Sequence, residues 1–293
     1  MELNFKCASL TISPFKEMAA YEALWDIDKI SFKKIAKLFS RTPNALPSNY
    51  IDEKQIKYYS NLLKPYLIKN EIKPNIILNG TFDYPQRLRD AVDPIEVLYY
   101  SGNIEYLRTK GVAVVGSRHP SDLGIRRAEK LVKLLVKDNI TIFSGLADGI
   151  DTVSHLTAIA NEGKTVAVIG TPLNEFYPIK NKELQMYIAK YHLLISQVPF
   201  IKYSSQDYRW NRGFFPERNK TMSALSDATV IIEASETSGT LIQARAALAQ
   251  RRKLFILQNC FENKSITWPE KFEKLGAIRI REYEDLRKNL GIS

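Results

Sequence analysis

Apolar and polar residues follow two different patterns in this chain, one before and one after about residue 75. In the first part, apolar residues recur at helical spacing over 15–25 and 32–39, and a third helix is predicted over 52–67. This part is therefore predicted to be a small helical domain over residues 1–75, whose charged side chains are mostly solvated.

After residue 75, short apolar strands alternate with amphipathic helices. Strands are predicted at 76–78, 97–100, 112–116, 140–145, 165–170, 193–196, 229–234 and 253–257, and helices at 122–138, 151–162, 181–191, 217–226 and 239–251. Nearly continuous apolar strands separated by helices are typical of a parallel sheet that is covered on both faces. The fold class is therefore predicted to be α/β, with a doubly wound sheet over residues 76–293 that binds ligands at the carboxyl ends of its strands.

Charge and composition favour a polyanionic partner and disfavour a secreted or membrane-spanning protein. The 42 Lys and Arg residues against 32 Asp and Glu give a formal charge of +10, which favours a polyanionic partner. The first 25 residues lack the apolar core of a secretory signal, and no apolar run is long enough to cross a membrane. The two cysteines, Cys7 and Cys260, do not form a disulfide framework, so a cytoplasmic location is expected.

Known cofactor signatures are absent from this sequence. Gly163-Lys164-Thr165 resembles the end of a phosphate-binding loop, but it precedes a strand, and Ala158 stands where a glycine is required. The first core strand leads into GSRHPSDLG rather than the G-x-G-x-x-G of dinucleotide-binding proteins, and the three histidines have no zinc-like spacing. No cofactor and no metal are therefore expected.

Three turns at the carboxyl ends of strands favour anions. They are Gly116-Ser117-Arg118, the turn from Ser144-Gly145 to Asp151, and Ser235 to Thr240 with its Ser238-Gly239-Thr240 string. Such turns offer backbone amides at the start of a helix, where negative charge is stabilised. Because parallel strands end at one edge of a sheet, the three turns are predicted to converge there.

Asp151 and His155 are four residues apart and share a helix face. They could form a hydrolytic acid–base pair. The favoured interpretation is structural, in which Asp151 caps the helix and His155 makes a buried polar contact.

Aromatic and cationic residues interleave over 201–221, which we call the aromatic–basic segment. It contains five cations and two acids, together with Tyr203, Tyr208, Trp210, Phe214 and Phe215. Bases stack on aromatic faces while cations follow the phosphate backbone, so the segment indicates contact with a single-stranded nucleic acid. Arg245, Arg251 and Arg252 could extend such a track, although a solvated face is favoured for them.

The motifs together resemble the DNA-processing protein A family, also called DprA or Smf. The matching strings are VAVVGSR, FSGLADGIDTVSH, GKTVAVIG followed by Tyr177-Pro178, FFPERNK and EASETSGTLIQARAA. The resemblance implies an extended Rossmann-like domain preceded by a SAM-like helical domain. It also implies a non-enzymatic protein that protects single-stranded DNA and loads the RecA recombinase in DNA uptake, natural transformation and recombination, acting as a homodimer.

The resemblance places the DNA pocket at the arginine of the G-S-R string and at the F-P-x-R-N segment, where Lys220 replaces a customary arginine. The residues predicted to bind DNA, from the turns, the segment and the resemblance, are Gly116, Ser117, Arg118, Ser144, Gly145, Arg212, Phe214, Phe215, Arg218, Asn219, Lys220, Ser238, Gly239 and Thr240.

The alternative hypothesis is a nucleotide sensor or a phosphoribohydrolase-like enzyme on the related fold. Such hydrolases carry a Gly-Gly-x-Gly-Thr-x-x-Glu loop, and Gln243 stands at the position of its catalytic acid. An amide cannot act as a general base, which disfavours the enzyme and leaves the sensor open. A scaffold that contacts only a partner protein is also compatible with the sequence.

Overall fold

The computed structural model describes residues 12–68 and 71–292, so Cys7 lies outside the described residues. The helices are α1 Pro14–Leu24, α2 Phe32–Phe39, α3 Glu53–Ile68, α4 Gln86–Arg89, α5 Asp122–Lys137, α6 Ile150–Ala160, α7 Lys182–Tyr191, α8 Phe200–Ser205, α9 Tyr208–Asn211, α10 Phe214–Leu225, α11 Thr240–Ala249, α12 Gln258–Glu262, α13 Trp268–Lys274 and α14 Tyr283–Leu290. The strands are β1 Asn75–Leu78, β2 Val97–Gly102, β3 Gly111–Val115, β4 Thr141–Ser144, β5 Thr165–Ile169, β6 Leu193–Ser196, β7 Ala228–Ile231, β8 Lys253–Leu257 and β9 Ile278–Ile280.

The strands form one nine-stranded sheet in the order β1-β2-β6-β5-β4-β3-β7-β8-β9. Strands β3 to β9 run parallel, whereas β2 pairs antiparallel with both β1 and β6. The chain winds outward from β3 to β6 and then returns to β7 on the other side of β3. The predicted doubly wound α/β fold is confirmed, and its strand order reverses between β3 and β7, where such folds bind ligands.

Helices cover both faces of the sheet, which explains why its strands are apolar throughout. In β3, Val112 and Val114 pack with residues of α5, α6 and α14. Ala113 and Val115 belong to the opposite cluster, which contains residues of α10, α11 and α13. Successive residues of a strand point to opposite faces, so every position of β3 is buried.

The three predicted N-terminal helices are present as α1, α2 and α3. Helix α1 begins at Pro14, and Ser13 caps its amino end by accepting a hydrogen bond from the amide of Lys16. Its apolar side packs against the sheet, where Tyr21 and Tyr99 of β2 share one hydrophobic cluster. The division of the chain into two domains at residue 75 stays a prediction.

Two carboxylates of α1 depart from the expectation that charges in this segment are solvated, because Glu17 and Glu22 are buried. Glu17 accepts hydrogen bonds from the amide and hydroxyl of Ser48. Buried carboxylates need such donors, since an unpaired one would lose its hydration without compensation.

Candidate nucleic-acid interface

A cleft of about 500 Å³ opens at the carboxyl edge of the sheet, beside the reversal between β3 and β7. Its walls come from the turn after β3, the turn after β7 and the first turns of α10. Ten of the fourteen predicted DNA-binding residues line it, namely Gly116, Ser117, Arg118, Arg212, Phe215, Arg218, Asn219, Ser238, Gly239 and Thr240.

Four predicted residues lie elsewhere. Ser144 is buried behind the cleft and donates its hydroxyl to the carbonyl of Val114, while Gly145 lies beside it. Phe214 is buried in the hydrophobic core, because adjacent residues of a helix point about 100° apart and Phe215 takes the cleft side. Lys220 is exposed, pairs with Glu217 and lines a second cavity together with Arg245. That any of these residues contacts DNA stays a prediction.

The turn after β3 holds Arg118 out toward the cleft. A side chain at Gly116 would place its Cβ 2.6 Å from Ile150, so only glycine allows this close approach. The amide of Ser117 donates to the carbonyl of Glu233 at 2.7 Å, which fixes the turn to the chain beyond β7. The guanidinium of Arg118 is exposed and has no hydrogen bond or ion pair to any described residue, so it is available to an anion.

The turn after β7 is joined to the turn after β3. The hydroxyl of Thr240 donates to the carbonyl of Gly116 at 3.1 Å, and the hydroxyl of Ser238 accepts from the amide of Thr240. A Cβ at Gly239 would meet no atom of the described residues within 4 Å, so this part of the turn is open on that side. The predicted convergence of these two turns is confirmed.

The turn after β4 differs, because its amides already bind a carboxylate. The Asp151 carboxylate accepts from the amides of Gly145 and Ala147 at 3.2 and 3.3 Å. Burial raises the pKa of Asp151, although the nearby Arg218 and the amide donors oppose the shift. Asp151 therefore caps the loop that precedes α6, which leaves these two amides unavailable to a ligand.

His155 takes no part in an acid–base pair with Asp151. Its Nδ1 lies 2.7 Å from the hydroxyl of Thr165, and burial lowers its pKa to about 3. The favoured structural interpretation of the two residues is confirmed, with the correction that Asp151 caps loop amides rather than helix amides.

Arg218 forms the inner wall of the cleft and is only 5% exposed. Its Nη1 donates to the carbonyls of Gly145 and Val168, at the ends of β4 and β5. A Cβ at Gly145 would overlap that nitrogen, so the glycine makes room for the guanidinium. Burial lowers the pKa of Arg218, and the nearby Asp151 carboxylate opposes this shift.

Two aromatic rings face the cleft between the cations. The rings of Phe215 and Tyr177 lie 5.3 Å apart at 59°, and Tyr177 is exposed. Arg212 is exposed nearby, and within the described part of the chain its guanidinium has no partner. Tyr177 was missed as a site residue. Its only sequence signal was the Tyr177-Pro178 string, which the structure places at the cleft with a cis peptide bond.

Gln243 is buried and joins α11 to β7 and α10. Its carboxamide bonds to the hydroxyl of Thr229 at 3.1 Å, and the opposite amide orientation also donates to the carbonyl of Asn219. The position that would carry a hydrolase's catalytic acid is thus taken by a buried amide that is bonded to neighbouring elements of the fold. In the described ranges, no cluster of three or more His, Cys, Asp or Glu could hold a metal, and no helix there could cross a membrane.

The family model of DNA recombination-mediator protein A matches residues 75–291. Protein Smf of Synechocystis sp. is 34% identical over 241 residues, which cover 81% of this chain and 55% of the relative. DNA processing protein DprA of Streptococcus pneumoniae is 40% identical over 174 residues, covering 59% of each chain. DNA processing protein DprA of Bacillus subtilis is 31% identical over 235 residues, covering 80% of this chain and 77% of that one. The match therefore spans little more than half the length of the first two relatives.

Two solved structures share this fold over most of the chain. The X-ray structure of DNA processing protein A from Streptococcus pneumoniae superposes with a TM-score of 0.66 at 28% identity, covering 94% of this chain and 93% of that one. DNA processing protein A from Helicobacter pylori superposes with a TM-score of 0.63 at 26% identity, covering 75% and 96%. The Helicobacter structure is described for its unique single-stranded DNA binding mode.

Proposed function

Because this chain belongs to the DNA recombination-mediator protein A family, we propose that it binds single-stranded DNA, without sequence preference, in the cleft at the carboxyl edge of its sheet. The observation that carries the proposal is the pair of exposed guanidinium groups of Arg118 and Arg212, which have no partner in the described part of the chain and lie beside the Phe215 and Tyr177 rings. The single-stranded DNA binding described for the Helicobacter pylori relative supports it.

The chemistry of the cleft suits a single strand. Arg118 and Arg212 present planar forks that match phosphate oxygens. A base that stacks on Phe215 or Tyr177 gains about 1–3 kcal/mol, and stacking accepts any base because each has a π-face. Duplex DNA keeps its bases stacked on one another, so it cannot use the aromatic rings and should bind less tightly.

The proposal extends to the partners of the family. The chain would act as a homodimer that protects single-stranded DNA from nucleases and loads RecA, without catalysis, during DNA uptake, transformation or recombination. Sedimentation velocity tests the dimer. RecA strand exchange on DNA coated with single-strand-binding protein tests loading, where no stimulation by this protein would contradict that part of the proposal.

Fluorescence anisotropy with labelled single- and double-stranded oligonucleotides at two salt concentrations tests the binding. We expect a salt-sensitive preference for the single strand. Replacing Arg118 with Ala should weaken binding about tenfold, which corresponds to one charge-assisted contact.

Lys288→Ala is the control for a lost charge. Lys288 is exposed near the end of α14, and the last residue of that helix, Leu290, accepts a hydrogen bond from Lys110 at the opposite, amino end of β3. The affinity of the Lys288→Ala variant for the single strand should equal that of the wild type. Absence of single-strand binding at low salt would refute the proposal, and a rise in melting temperature with AMP or cyclic nucleotides would then favour the sensor.

A further inference from the structure

A buried carboxylate joins the N-terminal helices to the start of the aromatic–basic segment. Glu22 of α1 is 1% exposed. It accepts hydrogen bonds from the amides of Phe200 and Ile201 at 2.8 and 3.0 Å, and from the hydroxyl of Tyr99 at 2.8 Å. Three donors around one carboxylate fix the first turn of α8 relative to α1 and β2.

An aromatic cluster holds the same segment further along, at Phe214. The rings of Trp25 and Phe32 lie 4.7 Å apart, and each lies 6.1 Å from the ring of Phe214. All three side chains are buried. Since Phe214 directly precedes Phe215, the cluster sets the position and rotation of the first turn of α10, from which Phe215 reaches the cleft.

The part of the segment between these two anchors carries Arg212. Asn211 donates its side-chain amide to the carbonyl of Tyr203 at 2.9 Å, which holds α9 to α8. The guanidinium of Arg212 has no partner of its own among residues 12–68 and 71–292. Its location is therefore determined by the backbone that the two anchors hold.

We propose that the N-terminal helices position the aromatic–basic segment for single-stranded DNA, with Glu22 and the Trp25–Phe32 pair as positioning residues that do not touch the DNA. This inference rests on the proposed function. It assigns to these helices a part in binding affinity that is distinct from their contribution to folding. Arg118 provides an internal reference, because it lies on the turn after β3, which neither anchor contacts.

The first test compares Glu22→Gln with Glu17→Gln in the full chain. Both are buried carboxylates of α1 that accept hydrogen bonds, but Glu17 binds Ser48 instead of the segment. In Glu22→Gln, the NH₂ group of the introduced amide would oppose one of the backbone donors. We expect Glu22→Gln to weaken binding of labelled oligo-dT about three- to tenfold and Glu17→Gln to leave it unchanged, both measured well below each variant's melting temperature. Equal effects of the two variants would overturn the inference.

A double-mutant cycle shows through which element Glu22 acts. In the Glu22→Gln background, the loss of affinity caused by Arg212→Ala should shrink, while the loss caused by Arg118→Ala should stay the same. Additivity with both arginines would overturn the inference. A wild-type protein that fails to bind the strand would instead refute the proposed function, so the two failures are distinguishable.

If Glu22→Gln fails to fold, Phe32→Leu and Phe39→Leu provide the same comparison between an anchor of the segment and a matched residue away from it. Both phenylalanines are buried in α2, but Phe39 packs on Tyr50 rather than on Phe214. Hydrogen exchange reports the position of the segment without any DNA. The amides of residues 212–215 should exchange faster in Phe32→Leu than in Phe39→Leu, and equal exchange would contradict the inference.

Discussion

At the scale of single residues, burial separates arginines that look equivalent in the sequence. Arg118 and Arg218 both belong to strings that resemble DNA-binding motifs. Among residues 12–68 and 71–292, the guanidinium of Arg118 is exposed and has no partner, whereas Arg218 is buried and bonded to two strand-end carbonyls. The sequence could predict that both arginines lie at the cleft, but burial depends on packing from β4, β5 and α6, which no local pattern records.

Arg218→Ala should therefore act mainly on the stability of the fold, because this arginine bonds to the protein itself. Removing the guanidinium takes a donor away from the Gly145 and Val168 carbonyls and the nearby cation away from the buried Asp151. An unsatisfied buried polar group costs about 1–3 kcal/mol, so we expect a loss of that order in the free energy of unfolding in urea. Arg118→Ala should change it by less than about 0.5 kcal/mol, as exposed substitutions usually do. Equal stability of the two variants would contradict this assignment.

The buried imidazole of His155 gives a prediction on pH. Its pKa is lowered to about 3 by burial, from an ordinary value of 6.5. A group whose pKa is depressed in the folded protein contributes stability above its unfolded pKa, and that contribution is lost as pH falls from 6.5 toward 3. Buried Glu22 and Glu96, whose pKa values are raised to about 7, act in the opposite direction.

A His155→Gln variant separates the contribution of the histidine to the pH dependence of stability from that of the two carboxylates. Between pH 7 and pH 4, the free energy of unfolding of the wild type should fall relative to that of the variant. Urea denaturation at several pH values measures this difference. A constant difference would mean that His155 is not buried as a neutral group.

At the scale of elements, strand and helix positions followed closely from the pattern, but their arrangement did so only in part. The core strands lie within one or two residues of their predicted starts because each is an apolar run between turn residues. The sequence did not reveal that β2 pairs with β6, since antiparallel pairing across some ninety residues leaves no local signal. Helices α8 and α9 were also not predicted, because the interleaved residues of 201–212 show no helical periodicity.

Helix α9 offers a built-in probe of the DNA path. Of the three tryptophans, Trp25 and Trp268 are buried and Trp210 is 75% exposed, two residues from Arg212. Bound single strand should reduce quenching of Trp210 fluorescence by acrylamide, because bases at this surface exclude the quencher.

A Trp210→Phe variant should lose the accessible component of the emission and identifies its source. Unchanged quenching, under conditions where anisotropy shows binding, would place α9 outside the DNA path while leaving the cleft itself on it.

At the scale of the whole molecule, the formal charge of +10 indicates a polyanionic partner but not where it binds. Many cations are used in ion pairs far from the cleft, such as Arg279 with Glu273 and Arg287 with Asp138. In the described part of the cleft, the unpaired guanidinium groups are those of Arg118 and Arg212. Cations that contact phosphates release counterions from the DNA. The number of counterions released on binding should therefore be set by these two groups rather than by the net charge of the protein.

The dependence of affinity on salt measures that number directly. Each phosphate contact on a single strand contributes about −0.7 to the slope of log K against log salt, so two contacts predict a slope of about −1.4 or steeper. Arg118→Ala should make the slope shallower by about 0.7, whereas Lys288→Ala, which removes the same charge at the other end of the sheet, should leave it unchanged. Equal changes in the two variants would show that the strand responds to the overall field of the protein. A change confined to Arg118→Ala would place a phosphate at the turn after β3.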